Sequence, residues 1–371
     1  MILIIPVLLL LRLFMWRIFP QFGTSYMSDT VFAFICVLAF TFYEIWRCKS
    51  RFAWPMLFLL AGSTLAASRS TFLLQSVFGT FALALMMLVF VYIFRKVRVK
   101  EDISWIWSFV IVAAILSAGQ GLREFYILRY IPLHENASHA LQIIHESKRS
   151  CSFQGWPTIF AGFLILVIPS LYFSFMAAWG RRKYVLGFLL VFLLLGLGSS
   201  LSFLPLVSLC LAMLITTNIK RAQFILYPII VLLAIVWSTK AVDSFFTARI
   251  AYLVEAKNMV IRHPFIGSGL GTFYSYGKYG FTRSTFAHNT YIQFWAEAGL
   301  MGFIGILGLT YTFWMMKPSE DLLEKSIFTG LLAVFIDNMF SFTMIKPNLA
   351  FVWWVSLALY AKLHYINRRL S

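Results

Sequence analysis

Residues 288–316 read HNTYIQFWAEAGLMGFIGILGLTYTFWMM. A polar entry, His288-Asn289-Thr290, runs into an apolar stretch whose one formal charge is Glu297. At a rise of about 1.5 Å per residue, about 20 such residues carry a helix across the hydrocarbon of a bilayer. Similar apolar runs recur along the whole chain. Lipid offers the backbone no hydrogen-bond partner, so only helices or a closed barrel can span it. The runs lack the period-two alternation of a barrel strand, which selects helices. The expectation is an all-α, polytopic integral membrane protein, with a single transmembrane helical domain over 1–371.

Composition agrees. Hydrophobic residues make up 61% of the chain, charged residues only 12%, and the mean hydropathy is +0.83. Soluble domains carry about 25% charged residues, so this chain cannot keep its surface wet. The net charge of +17 would point to nucleic acid in a soluble protein. Here it reads as loop charge that sets topology, and no nucleic-acid partner is expected. The four cysteines (Cys36, Cys48, Cys151, Cys210) form no spaced pair, so neither a disulfide framework nor a zinc site is indicated. The N-terminal apolar run has no small-residue cleavage site and reads as a first span rather than a signal peptide.

About twelve spans are expected, near 2–19, 29–46, 53–68, 71–94, 103–122, 156–179, 184–199, 201–217, 222–238, 288–316, 322–343 and 348–363. Runs 184–199 and 201–217 are alternatively one unit broken around Gly198-Ser199-Ser200. Alternate connections (47–51, 95–100, 181–183, 220–221, 317–325 and the tail from 362) hold 17 of the 31 Lys and Arg residues. The opposite short connections, 20–28, 68–70 and 344–347, hold only Arg69 and Lys346. Short-loop Lys and Arg mark the cytoplasmic side, so both termini are placed inside, against the dissent of Arg12 and Arg17. Two long loops, 123–155 and 239–287, then lie outside, and long loops are uncommon unless functional.

The second loop carries Lys240, Arg249, Lys257, Arg262, Lys278 and Arg283 against Asp243 and Glu255. This excess of positive charge suits either lipid phosphates or an anionic substrate group. Residues 247–262 predict a short amphipathic helix stopped by Pro264, its stripe of Ile250, Leu253, Val254 and Ile261 suited to a membrane surface. Gly267, Gly269 and Gly271 follow. No strand precedes them, so they predict tight turns and close backbone approach rather than a dinucleotide fingerprint. In the first loop His134, His139 and His145 are spaced by five and six, which does not align them as metal ligands on one helix face; no metal is expected.

RIAYLVEAKNMVIRHPFIGSGLGTF (249–273), followed by HNTYIQFWAEAGLMGFIGILGL (288–309), resembles the O-antigen ligase family, which includes related O-antigen polymerases and protein O-oligosaccharyltransferases. The family pattern is an arginine-led amphipathic helix, a Pro then Gly-x-Gly turn, and His-Asn leading to Glu-x-Gly-x-x-Gly. It is matched at Arg249, Tyr252 (commonly Trp), Met259, Pro264, Gly267, Gly269, Phe273, His288, Asn289, Glu297, Gly299 and Gly302. RSCSFQGWPTIFAG (149–162) is a weaker match to the family's Arg–Phe–Pro–Phe-Ala region. One departure is Ser199-Ser200-Leu201-Ser202, where the family usually has Ser-Arg-Gly.

The resemblance implies a multi-pass enzyme of the bacterial inner membrane, metal-independent and without a cofactor, transferring a glycan at the periplasmic face. The donor is a polyprenyl diphosphate-linked oligosaccharide; the acceptor is a hydroxyl on lipid A-core, another glycan or a protein. Polymerization of O-antigen or exopolysaccharide by the same motif is the alternative. A flippase or transporter is another, although no internal repeat of the transporter kind is evident. A guanidinium presents a planar fork to phosphate, and a neutral imidazole accepts a hydroxyl proton. His288 is therefore the candidate base and Arg249 the first candidate for the diphosphate, with Arg149, Arg283 and Arg123 as candidates for the missing cation. Asn289, Tyr252, Gly267, Gly269, Glu297 and Asp337 are the supporting residues. Nine residues of helix turn Glu297 about 180° from His288 and lower it about 13 Å, so Glu297 is expected to make a buried polar contact to another helix. Gly299, Gly302, Gly305 and Gly308 are expected to form a groove for a neighboring helix. Asp337 either faces the site or hydrogen-bonds a neighbor.

Overall fold

The computed structural model describes residues 25–130, 149–217, 226–231, 241–277 and 286–370. The expected span at 2–19 and most of that at 222–238 lie outside them. The helices are α1 (Ser25–Trp46), α2 (Ala53–Arg69), α3 (Leu73–Lys96), α4 (Lys100–Tyr130), α5 (Pro157–Ala177) and α6 (Gly180–Ser199). They continue with α7 (Phe203–Thr216), α8 (Ala241–Arg262), α9 (Phe273–Gly277), α10 (Thr290–Met315), α11 (Leu322–Asp337) and α12 (Pro347–Leu370). No strand occurs among the described residues. Among the described residues, six helices (α3, α4, α5, α6, α10 and α12) are long and apolar enough to cross a membrane.

The bundle forms around α5, which is apolar all round and buried from Ile159 to Phe173, as a central helix must be. Its indole partner is Trp107 of α4, whose Nε1 donates to Ser170 Oγ at 2.9 Å. The outer helices show the inverse pattern. On α4, Trp105, Phe109, Val112 and Leu116 are exposed, and on α6, Tyr184, Phe188, Val191 and Leu195. Spacings of four, three and four put each set on one helical face. Such stripes of large exposed apolar residues belong against lipid rather than water.

Polar contacts divide between the two ends of the bundle. At one end Arg95 pairs with Glu44, Lys100 with Asp321, and His364 Nδ1 meets Glu324 Oε1 at 2.7 Å. These join the end of α1 to that of α3, and the start of α11 to the start of α4 and to the last turns of α12. At the other end Ser70 Oγ donates to the Ser268 carbonyl at 2.6 Å, and Thr290 Oγ1 to Asn338 Oδ1 at 2.7 Å.

Several boundaries differ from the sequence expectation. Helix α4 extends to Tyr130, so residues 123–130, expected in the first long loop, are helical. Helix α8 starts at Ala241, six residues before the expected 247. The run 322–343 is helical only to Asp337, because the Asn338 side chain donates to the Val334 carbonyl and to Thr343 Oγ1 and accepts from Met344 N, folding 338–346 into a turn. Runs 184–199 and 201–217 are two helices, separated at Leu201 with φ +47°.

The expected glycine groove is real for three of its four residues. A Cβ on Gly305 would lie 2.5 Å from Leu59 N of α2, and one on Gly308 3.2 Å from Pro55; Gly302 N lies 2.5 Å from where Gly62 of α2 would carry its own. Gly299 does something else. Its φ of +69° and ψ of −168° break α10, so the single helix expected over 288–316 is two pieces. Leucine at Gly305 has no room and should cost about 1–3 kcal/mol by overpacking. A lowered thermal midpoint of Gly305→Leu in detergent, with Leu307→Ala on the exposed face of the same helix nearly neutral, is the expected result; equal midpoints for Gly305→Leu and wild type would contradict the close approach.

Candidate functional site

The break at Gly299 fixes the loop from Pro264 to Phe273. Interrupting the helix frees the carbonyls of Ala296 and Glu297, and they accept Ser268 N at 3.0 Å and Gly269 N at 2.8 Å. Leu300 N, released from its helical partner, donates to the Phe265 carbonyl at 3.1 Å. Gly267 has φ +82°, and a Cβ there would lie 2.4 Å from Gly299 N, so glycine is required on both sides of this contact. Glu297 is fully buried. Its carboxyl accepts Gly271 N and Phe273 N at 2.9 Å each, closing the loop onto the start of α9. The partner of Glu297 is thus loop backbone and not the neighboring helix that was expected.

This loop docks α8. Ala256 and Met259 of α8 bury against Phe273, Ala287 and Ala296 in a small core separate from that of the bundle. Ile250, Val254 and Ile261 on the opposite face are exposed. Tyr252 and Arg249 are thereby carried to the mouth of α10. Tyr252 stacks on the His288 ring, with centroids 5.0 Å apart and planes at 20°, and Phe342 meets the same ring edge-on at 4.7 Å.

His288 itself is half-buried with φ +53°, a left-handed conformation that costs a non-glycine residue about 1–2 kcal/mol. Its neighbors hold it there. Asn289 caps α10 by accepting Ile292 N at 3.0 Å and donates to the Met339 carbonyl at 2.8 Å, while Ala287 N donates to Gln293 Oε1 at 3.1 Å. The Nδ1 atom is buried without a hydrogen-bond partner among the described residues. Burial, reinforced by the charge of Arg249, pushes the His288 pKa down to about 3. The imidazole is consequently neutral across the physiological range.

The arginines sort clearly. Burial lowers Arg249 to about 10, with Asp337 opposing and Arg149 adding to the shift. Asp337 and Arg149 therefore both lie within electrostatic reach of the Arg249 guanidinium. Asp337 is buried at the end of α11, where Oδ2 accepts Thr343 Oγ1 at 3.1 Å and Oδ1 has no hydrogen-bond partner among the described residues; it thus hydrogen-bonds a neighbor and also lies within electrostatic reach of Arg249. Arg149 Nε donates to the Ser200 carbonyl at 3.0 Å and its Nη2 to Ser202 Oγ at 2.9 Å. Its guanidinium thus occupies the turn between α6 and α7, the segment that itself lacks an arginine. Burial also lowers the Arg149 pKa. Glu124 of α4 holds this arm by accepting Cys151 N at 3.0 Å and Ser152 N at 2.7 Å. Arg123 is exposed on α4 with no described contact to the cluster, and Arg283 lies outside the described residues.

Two further groups carry no mark in the sequence pattern. Phe342 joins the His288 ring to Phe286, on which it stacks at 4.3 Å. Lys346 Nζ lies 4.3 Å from the Phe286 centroid and 5.6 Å from that of Trp156. The one available signal was that Lys346 is among the few cations in the short connections on this side.

No family model, no curated protein and no solved structure matches this chain.

The pKa of His288 has a consequence for stability. Below pH 6.5 an unfolded chain binds a proton that the native site refuses. The stability contributed by the neutral imidazole is complete above that pH and is lost progressively as pH falls toward about 3. His288→Gln should therefore lose less thermal stability than wild type on going from about pH 7 to about pH 5. Identical pH slopes in the two proteins would contradict the burial of a neutral ring.

Proposed function

We propose that this protein is a membrane glycosyltransferase of the O-antigen ligase type, moving an oligosaccharide from a polyprenyl diphosphate carrier to an acceptor hydroxyl. The observation that carries the reading is the meeting of Arg149, Arg249 and a neutral His288 at one end of an apolar helical bundle. In this reading the chain has about twelve spans and two long periplasmic loops, and lies in the bacterial inner membrane with both termini cytoplasmic. Support for that orientation is the collection of basic connections at the bundle end opposite His288.

The chemistry follows from the charges. The acceptor oxygen attacks the anomeric carbon as the bond from that carbon to the diphosphate oxygen breaks. The leaving diphosphate takes the electron pair, and Arg149 and Arg249 stabilize the negative charge that grows on it. The hydroxyl proton passes to the neutral His288 ring, whose basicity rises above its unliganded value when the bound diphosphate's negative charge offsets that of Arg249. In-line attack inverts the anomeric center. Asp337 partly balances the charge of Arg249, and Tyr252 and Phe342 fix the imidazole plane. No metal and no cofactor enter this scheme. Lipid A-core, a second glycan or a protein hydroxyl can each fill the acceptor role, and the polymerase reading differs only in that choice.

The test is reconstitution of the purified protein with a polyprenyl diphosphate-linked oligosaccharide. His288→Ala should lower transfer by about 10²–10⁴-fold, the range for loss of a general base, and Arg249→Ala should lower it comparably. Full transfer by both variants would reject the assignment. Lipid A-core added as acceptor, against donor alone, then separates ligation from polymerization.

If the arginines act on one diphosphate, their effects are coupled. Arg149→Gln and Arg249→Gln together should then cost much less in transfer than the sum of the two single losses, on a free-energy scale. Additive losses would place them at separate sites.

A further inference from the structure

Beside the His288 site lies a partly open apolar cavity of about 380 Å³. It sits between the outer halves of α3 and α12, with Ala82 and Met86 on one wall and Ala350 and Trp354 on the other. Leu270 and Gly271 of the loop roof it. Gln75 of α3 fixes that roof by donating to the Gly271 carbonyl and accepting Ser275 Oγ at 2.7 Å.

Phe286 and Ile345 line the cavity where it approaches the site. Directly over Phe286, at 4.3 Å, is Lys346 Nζ, also 5.6 Å from Trp156 and 6.0 Å from Phe342. Phe342 is the ring that meets His288. The two stacked rings beside the ammonium thus connect the apolar slot, which Phe286 lines, to the imidazole, which Phe342 meets. Among the described residues Lys346 has no carboxylate partner; its neighbors are three aromatic faces. Burial lowers its pKa. An aromatic cage steers an ammonium without neutralizing it, leaving its charge available to an anion.

We propose that Lys346 and this cavity form a lipid-phosphate site: the cavity takes the first units of an isoprenyl tail, and Lys346 takes the phosphate attached to it. A tail-bearing phosphate satisfies both halves, whereas a free anion leaves the slot empty and a neutral lipid leaves the lysine unanswered. The choice of an isoprenyl tail rests on the glycosyl-transfer reading given above. In that reading Lys346 positions the lipid-proximal phosphate while Arg149 and Arg249 face the sugar-proximal one.

The test is binding of labeled farnesyl phosphate and farnesol to the full chain in nanodiscs of phosphatidylethanolamine and phosphatidylglycerol. Lys346→Met should weaken farnesyl phosphate about tenfold, the effect of about 1.4 kcal/mol, and leave farnesol unchanged. Ala82→Phe, which fills the slot, should weaken both. Inorganic phosphate should not displace the probe. Unchanged farnesyl phosphate binding by Lys346→Met would overturn the proposal. So would displacement by inorganic phosphate at matching concentration, which marks a free-anion site, or no binding over the bilayer background, which marks an ordinary phospholipid as occupant. Because binding is read without turnover, its loss in Lys346→Met alongside absent glycan transfer would sink the transfer reading alone. Active transfer with unaltered binding in Lys346→Met would sink this one alone.

Discussion

The exchange of hydrogen bonds at Gly299 is the constraint on which the site depends. A helix interrupted inside a bundle exposes carbonyls and amides that have no water to turn to, and leaving each unpaired costs about 1–3 kcal/mol. Here the loop supplies the missing partners. Ser268 and Gly269 donate to the carbonyls that α10 releases, and Phe265 accepts from Leu300. The Glu297 carboxyl completes the join by accepting two loop amides. Helix break and loop are each unfavorable alone and satisfied together, so neither moves without the other.

From this joint the rest of the site is placed by packing. The loop gives α8 a small core to dock against through Met259 and Phe273. Docking brings Tyr252 onto His288 and Arg249 within reach of Asp337 and Arg149. Three cations on this face, Arg149, Arg249 and Lys346, are all partly buried and lean on carbonyls, hydroxyls, a carboxylate or aromatic rings. A region that gathers desolvated positive charge around a neutral imidazole is well matched to an anionic group, the charge that the proposed diphosphate would bring.

Much of the fold was legible because lipid imposes a simple rule: apolar runs of helical length, separated by charged connections. The helices α3, α4, α5 and α6 follow from it directly, although the central place of α5 does not. His288 and Arg249 stood out through the family resemblance of 249–273 and 288–309, in which an arginine leads an amphipathic helix and His-Asn enters an apolar run. What stayed hidden were contacts between segments distant in sequence. Gly299 looks like the first of four equivalent glycines, and only the approach of Phe265 and Ile266 makes it a break. Arg149 is one of three plausible arginines until Ser200 and Ser202 fold beneath it. Lys346 gains significance only when Phe286, Phe342 and Trp156, from three separate segments, surround it.

The joint between Glu297 and the loop can be examined without any substrate. Amide hydrogen exchange of the 265–277 segment, compared between wild type and Glu297→Ala, reads its bonds directly. The account predicts that Gly271 and Phe273 lose protection in Glu297→Ala and that α8 loosens with them, while the buried α5 keeps its protection. Protection of 265–277 unchanged by the substitution would contradict it.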